Sequence, residues 1–321
     1  MTTSFQVPRK PGRAASEYGL LLSSDPSTRL RDPAVVRSRL SSGELVRLRR
    51  GAFVRATQWK SADARERHVL RVRAVIALAT RPIAVSGISA AAVYGMPVRD
   101  PWPDEVCVLD RWKGGGRSEP GVHRTAAGFT TARIIFHDGL PITDVARTAL
   151  DVARSASFRD AMGSVDWALW RKNPLRISHA ELADELRRMH PHARRRHLAE
   201  IVAFATDLSD SFGESLTRAV IWELGFELPE LQHRMCDRTG EMFSDFYWRS
   251  IRSTGEFDGK VKYLRALNPD VDPGDVLWRE KKRQDRIMAL GYSVIRFTWN
   301  DVLDPQRMTA LLVGEGVPRR T

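Results

Sequence analysis

Four side chains in the last third of the chain have the types and spacing for hydrolytic chemistry: Glu214, Asp245, Glu256 and Lys281. Residues 242–248 and 251–258 read as two strands, and a tight turn at Ser250-Ile251 sets Asp245 opposite Glu256. Directly opposed side chains stand roughly 4.5–5.5 Å apart at Cβ, and like charges placed so destabilise a hairpin. A divalent cation held by oxygen ligands is the simplest group to offset that repulsion. Asp258, two residues past Glu256, falls on the same face by period-2 alternation. The plainer alternative is a solvated acidic strand pair. Lys281 shares a helical stripe with Leu277, Trp278 and Met288, apolar positions expected to face the sheet. A lysine there would look across at the carboxylates.

The elements that must position these residues run from Ser211 to Trp299: a helix opened by Glu214, a hairpin, an irregular loop, a second helix and a last strand. The first 60 residues form a different kind of unit. A helix is expected over Ala14–Ser23 and a second from Pro33 to Ser41, with proline in its first turn. Ser42-Gly43 stops that helix. The run Gly43–Arg55 follows as a basic two-stranded ribbon turning at Gly51. Helix, turn, helix and ribbon is the order of a winged helix-turn-helix. Arg37 and Arg39 then lie on the recognition helix, and Arg47, Arg49 and Arg50 in a phosphate-contacting wing. The alternative is a solvated basic face on a helical cap. Between the two ends lie an amphipathic helix from Asp63 to Ala79, strands near 82–86, 105–110, 122–124 and 132–137, and helices near 144–155, 157–171, 178–189 and 193–206. Leu140–Thr143 leads into the helix at 144. Gly114-Gly115-Gly116 lacks the Lys-Ser/Thr of a phosphate loop and reads as a hairpin connection.

A chain of 321 residues with 42% hydrophobic and 28% charged content has room for two or three globular domains. No apolar run reaches the length of a membrane span. No secretory signal is read at the N-terminus, and Cys107 and Cys236 show no metal-like spacing, so a reduced cytoplasm is expected. Net charge is +12, but residues 211–321 hold as many basic as acidic side chains, whereas residues 1–60 hold twelve basic and four acidic. Attraction to phosphate is thus delegated to the N-terminal region.

Several phrases carry family resemblance. Gly213-Glu214-Ser215 with Arg218, Ser244-Asp245-Phe246, Glu256-Phe257-Asp258-Gly259, Lys262-Tyr263, Glu280-Lys281 with Arg283 and Asp285, and Gly291-Tyr292 before Ile295-Arg296-Phe297 come in order over 211–312. That segment resembles proteins related to the very-short-patch-repair endonucleases of the PD-(D/E)XK superfamily. Residues 14–56, with the phrase Leu45–Val54, resemble the N-terminal domain of the AbiE-type antitoxin family, and the helix, strand and short helix that follow to Gly95 resemble the middle of the same proteins. The resemblance implies a multidomain α/β chain: a winged-helix DNA-binding domain over 1–60, an α/β middle domain and helical bridge over 61–207, and a nuclease-like mixed sheet flanked by helices over 208–321. It implies Mg2+ or Mn2+ held by Glu214, Asp245 and Glu256. The superfamily's lysine position, two after Glu256, is taken by Asp258, so Lys260, Lys262 or Lys281 would substitute. DNA is the implied partner, with a partner toxin or a second copy of the chain also admitted. Two functions stay open: a metal-dependent DNA endonuclease in phage defence, toxin–antitoxin or repair, and a non-catalytic antitoxin-like regulator using the nuclease fold as a scaffold.

Overall fold

The computed structural model describes residues 17–99, 101–111, 119–126, 128–189, 194–259 and 273–320, with the backbone alone at 273–277, 279 and 280. The Gly114–Gly116 loop, Lys260 and Lys262 lie outside the described residues. The chain divides into two compact units, Met1–Ser155 with Ile177–Val202, and Ala156–Arg176 with Ala203–Thr321.

In the first unit, Leu20 and Leu22 alternate into the core with Ala52 and Ala74. Period 2 suits a strand, and Leu21–Leu22 forms β1 where the end of a helix over Ala14–Ser23 was expected. A 3-10 turn at Pro26–Thr28 precedes α1 (Pro33–Ser41), whose first turn is fixed by Pro33 and capped by the Asp32 side chain at 2.8 Å from the Ala34 N–H. Ahead of it, Glu17 is helical and Ala14–Ser16 of the expected first helix lie outside the described residues. The ribbon forms as expected: β2 (Leu45–Arg49) and β3 (Ala52–Arg55) turn at Gly51, φ +87°, in a sheet ordered β1-β3-β2. Then come α2 (Ala56–Ser61) and α3 (Ala64–Ala77), the latter opened by an Asp63/Glu66 capping box.

A mixed five-stranded sheet follows, ordered β6-β5-β4-β8-β7. It consists of β4 (Ile83–Val85), α4 (Gly87–Tyr94), β5 (Val106–Asp110), β6 (Val122–Thr125), β7 (Ile134–His137) and β8 (Leu140–Thr143), closed by α5 (Val145–Ser155). Leu140–Thr143, read as a helix entry, is a wholly buried strand, and the Asp144 carboxylate caps α5 through the Arg147 N–H at 2.8 Å. The chain next forms α6 (Phe158–Leu169) in the second unit, α7 (His179–Arg188) in the first, and α8 (Arg195–Phe204) across the boundary.

The second unit continues with α9 (Phe212–Glu223), β9 (Glu230–Asp237), β10 (Gly240–Trp248), β11 (Ser253–Phe257), α10 (Pro273–Ala289), β12 (Ser293–Phe297), α11 (Trp299–Val302) and α12 (Pro305–Gly314). Its sheet is ordered β12-β11-β10-β9, antiparallel except for the β11–β12 pair. Along β12, Ile295 and Phe297 pack with Leu216 and Val220 of α9, while Val294 packs with Ile287 of α10. Alternation therefore places α9 and α10 on opposite faces of the sheet.

Candidate functional site

The site begins with how α9 starts. Ser211 caps it by accepting the Glu214 N–H at 3.2 Å. Glu214, three residues on, turns its carboxylate back to accept the Asp210 N–H and the Ser211 hydroxyl, each at 2.8 Å. Gln232 reaches the same carboxylate at 3.4 Å. Gly213 is required by close approach, since a Cβ there would run into the Phe257 ring. Without that side chain, the start of α9 sits down on the end of β11.

The hairpin register is the one read from the turn. Phe246, Tyr247 and Trp248 pair with Gly255, Thr254 and Ser253, and the ladder ends one step short of Asp245 and Glu256. The expected simple alternation fails on β10. Met242 packs with Ile287 on the α10 face, yet Phe246 and Trp248 pack on the α9 face. The strand changes face at Asp245, where the β9–β10 ladder skips the Gln232/Asp245 pair and Gln232 takes φ +53°. Asp245 instead accepts the Phe257 N–H at 2.9 Å.

Glu214 and Asp245 are thereby joined electrostatically. Glu214 is 7% exposed. Burial first, and then the Asp245 charge, push its carboxyl up to about 7, against the opposing pull of the Asp210 N–H and Ser211 hydroxyl. A helix cap explains the Ser-x-x-Glu spacing but not this burial beside a second carboxylate.

Glu256 belongs to a different set. It is 6% exposed, pairs across the parallel ladder with Arg296, and receives the Arg283 guanidinium of α10. Arg296 stands 3.9 Å from its other oxygen. The charge expected to need a cation is met here by arginine. Among the described residues, no group of three or more His, Cys, Asp or Glu side chains stands ready to hold a metal ion. Mg2+ is commonly held by one or two carboxylates together with water and phosphate oxygens, the number that Glu214 and Asp245 would supply. Glu256, engaged by Arg283, does not complete that set in this arrangement.

The stripe read on α10 is corrected. Trp278 and Met288 are 57% exposed and Lys281 is exposed, whereas Ile287 is fully buried. The inward stripe is Arg283, Ile287 and Leu290, an i, i+4, i+7 spacing, and Lys281 lies two residues off it. Arg283 also donates to the Phe243 carbonyl at 3.1 Å, and Arg286 grips Asp237 with two bonds of 2.7 Å. Together they fasten the helix to β9, β10 and β11. Arg283 is the contact that sequence reasoning missed, and its helical spacing from Ile287 was the available signal. Arg218 serves packing: it is buried against Asp166 of α6 at 3.1 Å and donates to the Phe204 carbonyl at 2.9 Å.

Of the basic residues proposed for DNA contact, Arg37, Arg47 and Arg50 are exposed. Arg39 is tied to Glu44 through Nε at 3.0 Å, and Arg49 is paired with Glu119.

No protein-family model matches the chain. It is similar to two uncharacterized proteins of Mycobacterium tuberculosis, MT2308 from strain CDC 1551 / Oshkosh and Rv2248 from strain H37Rv. Each is 27% identical over 226 residues, spanning 69% of this chain and 77% of the relative. Among solved structures, the RV2827C protein of Mycobacterium tuberculosis aligns with 72% of this chain and 90% of its own, at 15% identity and a TM-score of 0.37. Among the described residues, no helix is long and apolar enough to cross a membrane.

Proposed function

We propose that the second unit is a metal-dependent DNA endonuclease module in a DNA-binding protein. The observation that carries this reading is buried Glu214, anchored at the start of α9 and pushed up to about 7 by burial and by the charge of half-buried Asp245 on β10. Perturbed proton affinities cluster at sites of chemistry, because burial and like-charge neighbours are the means by which an acid or base is tuned. The mixed sheet, with a parallel strand reached through a helix, is a compatible frame. Bound Mg2+ or Mn2+ would lower the pKa of a water molecule and neutralise charge developing on phosphate. Glu214 and Asp245 would hold the ion. The Asp210 N–H, the Ser211 hydroxyl and the Phe257 N–H fix how those carboxylates point.

The Arg283 guanidinium on Glu256 and the acid at position 258 favour the second reading, a non-catalytic regulator that keeps the fold as a scaffold. One experiment separates the two. Supercoiled plasmid and short duplexes are incubated with the protein in Mg2+, in Mn2+ and in chelator, beside Glu214→Gln and Asp245→Asn. Metal-dependent cutting that both variants reduce by at least about a hundredfold is the expected result. Binding without cutting in any metal would leave the regulator.

A further inference from the structure

The first unit contains a concave site that the nuclease reading does not use. Between β2, α3 and the start of β5, side chains line an open hollow of about 350 Å³. Leu48, Val75 and Val106 give it an apolar lining, and Trp59 supplies an aromatic one. Around these stand three guanidiniums, Arg47, Arg49 and Arg71, with Asp104 the one acid lining the space among the described residues.

The charges are poorly matched. Arg71 meets Asp104 at 2.9 Å, but the Asp104 side chain is 91% exposed, and such a pair is worth little in water. Arg49 is partly buried near Arg124, and its partner Glu119 is shared with that same Arg124 at 2.7 Å. Arg47 is exposed at the mouth. Arg71 lies 5.2 Å from the Trp59 ring, so cation and aromatic surface occur together. Guanidinium forks match phosphate oxygens, while aromatic faces and guanidinium planes stack bases. The volume falls at the small end of ligand sites, which suits one nucleotide and not two.

We propose that this pocket binds a single nucleotide, its phosphate held by Arg47 and Arg71 and its base laid against Trp59 and the apolar lining. The unit could come free, as a mononucleotide, or as one nucleotide unstacked from a strand. The inference is independent of any cutting by the second unit.

Calorimetric titration of the full-length protein tests it, with each nucleoside monophosphate, with inorganic phosphate and with a short oligothymidine. At least one monophosphate is expected to saturate a single site at least about tenfold more tightly than inorganic phosphate. Arg47→Ala, an exposed position whose thermal melt should match that of the parent, should weaken that binding about tenfold or more. Oligothymidine binding displaced by the monophosphate identifies a strand as a source, and monophosphate binding without oligothymidine binding identifies the free ligand. The proposal is overturned by the absence of saturable nucleotide binding, by inorganic phosphate binding as tightly, or by an unchanged affinity in Arg47→Ala.

Discussion

Glu214 serves both its helix and its neighbouring acid, and the second role makes it a pH probe. Its carboxyl is raised from 4.5 to about 7 in the folded chain, so the folded state holds the proton more firmly than the unfolded one. Stability from this group is complete below pH 4.5 and is lost as pH rises to about 7, by roughly 3 kcal/mol at most. In metal-free buffer the melting temperature should fall across that window, and Glu214→Gln should flatten the fall. A pH-independent difference between the two proteins would refute the coupling. Glu256 predicts the opposite of what its sequence position suggests. Facing Asp245 alone, an amide there would be neutral or mildly stabilising. With Arg283 and Arg296 on it, Glu256→Gln should cost about 1–2 kcal/mol in chemical denaturation, and Arg283→Ala about as much or more, because a buried carboxylate loses its partner. The acids at 214, 245 and 256 were legible from residue type and spacing. Their division into a pair and an arginine-bound single was not, because it depends on which helix covers which face.

At the scale of elements, the start of α9 and the end of β11 depend on Gly213. Gly213→Ala forces its new methyl into the Phe257 ring, and overpacking of this kind typically costs about 1–3 kcal/mol. It should also part Glu214 from Asp245, so the pH dependence above would shrink in the same variant. A variant as stable as the parent with an unaltered pH profile would show that the approach is not tight. Hairpins were the most readable elements here. Gly51 marked one turn, and the register through Arg249–Arg252 was recoverable from the strand lengths. What failed was strict alternation. Nothing in β10 alone shows that it changes face at Asp245, since the irregularity is shared with Gln232 on a neighbouring strand. Short segments failed for a related reason: Leu21–Leu22 and Leu140–Thr143 are too brief to show a period, and partner strands decide what they become.

Across the whole molecule, the basic surplus of the first 60 residues narrows once ion pairs are assigned. Replacing Arg37, Arg47 and Arg50 with alanine should weaken duplex binding regardless of sequence and lower the salt slope by about one unit per contact. Replacing Arg39 and Arg49 should change it less, since Glu44 and Glu119 hold them. Equal effects from both sets, measured by fluorescence anisotropy over a salt series, would argue against that division. A last consequence lies in how the polypeptide is shared out. It passes from one unit to the other after Ser155, back after Arg176 and across again after Val202. The α6 segment leaves the ribosome well ahead of the helix whose Arg218 its Asp166 must neutralise, and so waits for a partner not yet made. A fragment such as 208–321 would lack α6 altogether, leave the Arg218 guanidinium without its acid, and come out of expression insoluble. Gene rearrangement faces the same obstacle: the carboxylate-bearing half cannot be moved as a cassette, because part of it is written inside the other half.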